Sequence, residues 1–213
     1  MLTKNHDQLT AEVKAHIAAD AVVQGKYWDG TKGCFIGCLA HSCDATVLQD
    51  RFGLPLPLVK VCEGIFEALP EDDARAFFAA IPDAVNRNGK DLSRVHWAFL
   101  AEELCALPSV PAHIQSVIDP VIAGMNLLAS GKKWPKAARA AARAARAARA
   151  AYAARAAADA AAHAAGSAAG STGSTGSTAD AAAYATAYAA RAADAAVRLR
   201  QCDTVLRLIA DAA

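Results

Sequence analysis

No stretch of this chain carries the roughly 20 consecutive apolar residues that a membrane-spanning helix needs, so no span is expected. No segment alternates apolar and polar residues strictly enough for a half-buried strand, which points to an all-α protein. The start MLTKNHDQLT is polar and leads into an amphipathic helix without the pattern of an export signal. In that setting six cysteines read as reduced thiols of a cytoplasmic protein rather than a disulfide framework. Bulky apolar residues are scarce beyond Ser130, because much of the 54% hydrophobic content is alanine, which buries little area. The usable core is therefore expected before Ser130, in a length sufficient to fold alone.

Net charge is nearly absent at +1, but the balance hides an asymmetry. Residues 1–130 carry ten Lys/Arg and sixteen Asp/Glu, a charge of −6, whereas residues 131–213 carry twelve and five, a charge of +7. A basic extension on an acidic body can reach an acidic partner or fold back on the body. The expected organisation is a compact acidic helical domain, 1–130, followed by a basic Ala-rich antiparallel helical hairpin, 131–213.

Within the body, apolar spacing predicts a helix from about Gln8 to Gln24, stopped by Gly25 as a left-handed cap. A glycine-punctuated loop runs to Gly33, and a short helix follows from Cys34 to about Ser42. Asp44 is expected to cap another that ends near Gly53. Pro57 and Pro70 suit the first turns of helices covering Leu58 to Leu69 and then running through Ile81. Asp91 is expected to cap DLSRVHWAFLAEELCAL, with Trp97 in the core, and the last body helix runs from Pro111 to Leu128, kinked at Pro120.

From Trp134 the chain becomes a low-complexity alanine–arginine helix, then a Gly/Ser/Thr turn at 166–178, then a second helix from Asp180 to about Ala210. Alanine helices form readily and approach closely. On the second, Tyr184, Tyr188, Arg191, Cys202, Leu206 and Ile209 share one side, a stripe that needs a partner surface. The first helix with the acidic body, or a second chain in a homo-oligomer, can provide it. Arg139, Arg143, Arg146 and Arg149 drift around their helix, which suits a solvated face or pairing with the body better than nucleic-acid phosphates.

Chemically capable side chains gather in GKYWDGTKGCFIGCLAHSC, Gly25 to Cys43. Three readings stay open there. Tyr27 and Trp28 as stacking surfaces, Lys32 as a cation, and the backbone of Gly33 and Cys34 at a helix N-terminus suit a small anionic or nucleotide-like ligand. Cys34 beside Lys32 at that N-terminus suits a lowered-pKa nucleophile, with His41 or His16 as base and Asp20 or Glu67 orienting it. Cys34, Cys38 and His41 at i, i+4, i+7, with Cys43 nearby, suit zinc or copper, although no CxxC knuckle or second ligand pair accompanies them. Against all three, free cysteines and tryptophans commonly serve as packing residues. The loop is neither a Walker A sequence nor a GxGxxG element, since no strand precedes it.

The segment AHIAADAVVQGKYWDGTKGCFIGCLAHS resembles a group of uncharacterised bacterial and phage proteins, which share a similar helix, a G-x-YW loop and KGC-x-x-GC-x-x-H. EGIFEALP followed by AIP is similar to theirs as well, so the resemblance covers roughly the first half of the chain. It implies a bacterial or phage intracellular origin and assigns no catalytic residue. The favoured expectation is a non-enzymatic protein that binds a small polar ligand at the 25–41 loop and helix and requires no cofactor. A thiol-dependent enzyme, a Cys/His metal module and a nucleic-acid binder are the alternatives.

Overall fold

The computed structural model of the chain describes residues 1–107, 111–133 and 196–213, except the side chains of 113, 114 and 117. The described residues form α1 (His6–Ala18), α2 (Phe35–Ala40), α3 (Thr46–Phe52), α4 (Leu56–Ala68), α5 (Glu71–Val85), α6 (Val95–Cys105) and α7 (Ala112–Ala129). A last helix, α8, spans residues 196–211. Among these residues there is no strand, only the isolated bridges Leu2–Asp91, Val22–Gly33 and Trp28–Gly33, so the all-α expectation holds. No described helix is long and apolar enough to cross a membrane.

Local chemistry sets several boundaries. Asp44 Oδ1 accepts from the Thr46 backbone N–H at 2.9 Å and from its hydroxyl at 2.7 Å, orienting the first turn of α3. Gly53 ends that helix in the left-handed region, at φ 69°, with the Leu2 carbonyl pressed where a side chain would stand. Pro70 precedes α5, whose first turn carries Glu71, Asp72 and Asp73 at the positive end of the helix dipole.

Three boundaries differ from expectation. α1 stops at Ala18, not Gln24, because Asp20 turns left-handed at φ 52° and Val22 pairs with Gly33; Gly25 has a positive φ but caps no helix. α5 continues past Ile81 through Pro82 to Val85, since burying Ile81, Ala84 and Val85 offsets the hydrogen bond that proline forfeits, and Asn86 ends it at φ 55°. Asp91 does not cap α6. Its carboxylate accepts from Ser93 N–H at 3.0 Å while its own N–H donates to the Ala213 carbonyl, and the helix starts at Val95.

The core centres on Phe35 of α2, whose ring meets Phe66 of α4 and Phe77 and Phe78 of α5 at centroid distances of 6.2, 6.3 and 5.7 Å. α1 packs on α5 and α2, α2 on α4, and α6 pairs with α7. In α6 Val95, His96, Phe99 and Ala101 are buried, whereas Trp97, expected in the core, is half-buried. His96 Nδ1 is buried without a hydrogen-bond partner, and burial holds the imidazole below its ordinary pKa. The unfolded chain therefore binds the proton more readily, so stability is expected to fall as pH drops below about 6.5, the unfolded value. Urea midpoints at pH 7.5 and 5 would show this as a drop that shrinks in His96→Leu.

Most of the expected hairpin, including the alanine–arginine helix, the 166–178 turn and Tyr184, Tyr188 and Arg191, lies outside the described residues. Its end does not stand apart from the body. Cys202, Val205 and Ile209 of α8 are buried in the same core as Phe35, with Leu206 half-buried beside them. Arg200 holds Glu103 through two bonds of 2.8 and 3.0 Å, and Arg207 pairs with Glu102, so this part of the basic extension folds back on acidic α6. Lys90 is only 1% exposed. It donates to the carbonyls of Ala84 at 3.2 Å and of Ile209 and Ala210 at 2.8 Å each, joining the C-terminal ends of α5 and α8.

Candidate functional site

The loop between α1 and α2 is built around Asp29. Its Oδ1 accepts from the backbone N–H groups of Thr31 and Lys32, both at 2.8 Å, and from the Thr31 hydroxyl at 2.9 Å, a turn typical of Asp followed by Gly. Its Oδ2 takes Lys26 Nζ at 2.8 Å. Lys26 first, then these backbone donors, hold the Asp29 carboxyl well below the usual carboxylate range. Asp29 is absent from the sequence-derived site, although the D-G-T-K spacing carries the signal for such a turn.

This self-bonded loop lies directly on α2. The Tyr27 carbonyl occupies the space where a Cβ on either Gly33 or Gly37 would stand, and Trp28 Cε3 would lie 3.0 Å from a Gly33 Cβ. Cys34 N–H donates to the Lys26 carbonyl at 2.7 Å and also contacts that of Tyr27 at 3.2 Å. The donor expected to face an anion is therefore engaged by the loop itself, and α2 is only six residues long.

The cysteines sit beneath this seam. Cys34 and Cys38 are buried, and Cys38 Sγ donates to the Gly33 carbonyl at 3.1 Å. Burial pushes the Cys38 thiol up to about 12 and raises that of Cys34 as well, opposite to the lowering expected from Lys32. Lys32 Nζ instead lies 3.4 Å from Asp20 Oδ2, and Glu67, expected to orient a base, accepts from Gly25 N–H at 2.7 Å. Cys43 is exposed. The expected metal set of Cys34, Cys38, His41 and Cys43 is not brought together, and among the described residues no three or more Cys, His, Asp or Glu converge.

What converges is different. His16 near the end of α1 and His41 just past α2, left-handed at φ 52°, face each other with their Nε2 atoms 3.2 Å apart. The Trp28 ring stacks on His41 at 4.5 Å and 20°, and His16 stands edge-on to Trp28 at 5.6 Å. Burial, then the neighbouring His41, lower the His16 pKa, while the Cys38 backbone and Glu12 act in the opposite sense. Arg51 braces the group from behind, pairing with Glu12 of α1 and donating to the Leu39 carbonyl of α2 at 2.7 Å.

Beside this cluster Asp20 carries two cations, Lys32 from the loop and Arg75 from α5. Its side chain is 67% exposed, so both pairs are open to water. Arg75 is a second residue that sequence reasoning missed, since only the packing of α5 on α1 brings it there. Tyr27 points away, 44% exposed, with Glu63 the main influence raising its phenol pKa.

Compared with known proteins, the chain matches no family model, no curated protein and no solved structure at a significant level. Its site is therefore read from its own chemistry.

Proposed function

We propose that this chain is a non-enzymatic binding protein whose ligand is small, planar and anionic, of the nucleotide class, seated on the surface formed by Trp28, His41, His16 and Lys32. The observation that carries this reading is the convergence of Lys32 and Arg75 on one exposed carboxylate, Asp20, in the same α1–α2 loop that supplies the indole of the Trp28–His41 stack. Exposed ion pairs contribute little to folding, commonly below about 1 kcal/mol. Two cations held this way are therefore available to a stronger anion at modest cost. A phosphate offers the charge, and a base or similar ring offers the face that Trp28 recognises. The buried, raised-pKa thiols Cys34 and Cys38 support packing rather than a nucleophile as the role of those residues.

Titration with a panel of nucleoside mono- and triphosphates, and with inorganic phosphate, tests the reading through tryptophan fluorescence. At least one nucleotide is expected to shift the Trp28 signal saturably and to bind at least about tenfold more weakly to Lys32→Ala or Arg75→Ala, a loss of roughly 1.4 kcal/mol. Binding that is indifferent to Trp28→Ala would sink the proposal. So would turnover of a substrate that disappears in Cys34→Ala.

A further inference from the structure

The facing imidazoles belong to the surface described for the ligand, and their separation has a second chemical meaning. Two histidine nitrogens bound to one ion at about 2.0–2.1 Å each stand roughly 3.3 Å apart at the tetrahedral angle. His16 Nε2 and His41 Nε2 stand 3.2 Å apart. We propose that His16 and His41 together bind a divalent first-row metal ion of the zinc–nickel–copper class through their Nε2 atoms, leaving the ion's remaining positions open. The site shares His16 and His41 with the surface proposed for the nucleotide but needs neither Lys32 nor Arg75, and its donors differ from the cysteine-based set suggested by the sequence.

The surroundings suit this role. A metal-bound imidazole is generally held by a hydrogen bond from its other ring nitrogen, commonly to a backbone carbonyl, which sets the tautomer and directs the free lone pair at the ion. The backbone of Cys38 lies against the His16 ring and acts on it in the sense of such a partner. The His41 ring is held by its stack on Trp28, and the backbone of His41 is set by its N–H bond of 2.8 Å to the Gly37 carbonyl. The two rings come from separate elements, α1 and the end of α2, that pack on each other and are tied by Arg51. The pair is thus preorganised. Without metal, one imidazole donates Nε2–H and the other accepts; with metal, both nitrogens present lone pairs, and the ring that gave up Nε2–H carries its proton on Nδ1. Imidazole nitrogens suit zinc, nickel and copper and disfavour calcium and magnesium, which require oxygen ligands.

Calorimetric titration of the full chain with nickel(II) and zinc(II), after chelator treatment and in a Cys43→Ser/Cys105→Ser background that removes the exposed thiols, decides the matter. One equivalent is expected to bind, with no comparable heat from magnesium. Loss of an outer partner of a metal ligand already costs about 10–100-fold, so His16→Gln and His41→Asn are each expected to weaken binding by at least about 100-fold. Asparagine is chosen at 41 because it accepts the left-handed backbone there. His6→Gln serves as a histidine control and should leave binding unchanged. Copper(II) should also quench Trp28 in a Trp97→Phe/Trp134→Phe background. No stoichiometric binding, or binding that survives both His16→Gln and His41→Asn in variants with unchanged circular dichroism, overturns the proposal.

Discussion

Lys90→Ala is expected to lower the unfolding free energy by about 3–5 kcal/mol. The ammonium is buried and donates to three carbonyls at the ends of two helices, where no further turn exists to supply backbone donors. Hydrogen bonds from a charged donor contribute roughly 1.5–3 kcal/mol each, while a buried carbonyl left unpaired costs about 1–3. The favourable end of the helix dipole for a cation adds to this. Opposing these gains, burial draws the Lys90 pKa below its ordinary value, with Arg87 acting in the same direction and Asp211 in the other. Truncation is still expected to be costly, because the carbonyls of Ala84, Ile209 and Ala210 would each lose their donor.

Equilibrium unfolding in urea, with the slope unchanged, would read this directly. Lys90→Met keeps most of the stem and removes the donors, so it should lose nearly as much as alanine. A methionine variant within about 1 kcal/mol of wild type would mean that the carbonyl bonds contribute little net stability. Amide exchange in residues 196–211 should rise in the same variants, because α8 is joined to the body through this ammonium as well as through Cys202, Val205 and Ile209.

Gly37→Ala is expected to cost about 3 kcal/mol and to release the loop that carries Trp28. In most helices this substitution gains up to about 1 kcal/mol. Here the added methyl would stand on the Tyr27 carbonyl oxygen, a backbone atom that cannot rotate away. Relief requires moving the loop off α2, which breaks the Cys34 N–H bonds to Lys26 and Tyr27 and separates Trp28 from His41. Forcing extra volume into such a contact commonly costs 1–3 kcal/mol and occasionally more; the upper end applies because the obstacle is main chain. Gly64 in α4 is the matched control, since a Cβ there meets nothing within 4 Å. Gly64→Ala should therefore raise stability by about 0.5–1 kcal/mol. Thermal midpoints of the two variants should move in opposite directions, with altered Trp fluorescence in Gly37→Ala alone. A Gly37→Ala protein as stable as wild type would show that the loop does not rest on α2 as closely as the geometry requires.

The legible parts of the fold are those governed by neighbours in sequence. Asp44 before α3, Gly53 after it and Pro70 before α5 act through bonds that span a few residues, so their residue types announce them. The end of α1 was not legible, because apolar spacing continues through Ala21 while Val22 is claimed by Gly33, eleven residues away. The site divides along the same line. The Gly25–Cys43 segment stands out by composition, and Trp28, Lys32 and His41 could be named from it. The role of its cysteines could not. Cys34 beside a lysine at a helix start looks activated, yet burial sets the opposite pKa direction, and burial is a property of the packed core. Arg75 and Asp20 lie 55 residues apart and became neighbours only when α5 packed on α1.

What the sequence determined by itself was the helical class, the local signals of Asp44, Gly53 and Pro70 around α3 and α5, and the stretch in which the chemistry is concentrated, because each depends on short-range backbone preference and composition. Only the tertiary structure decided which chemistry that stretch presents. The loop carbonyl on Gly33 and Gly37 closes the N-terminus of α2, the core buries the thiols, and the packing of α1 against α2 sets His16 Nε2 opposite His41 Nε2. These are long-range contacts, fixed by the shape in which Phe35, Phe66, Phe77 and Phe78 exclude water together, and no local pattern encodes them.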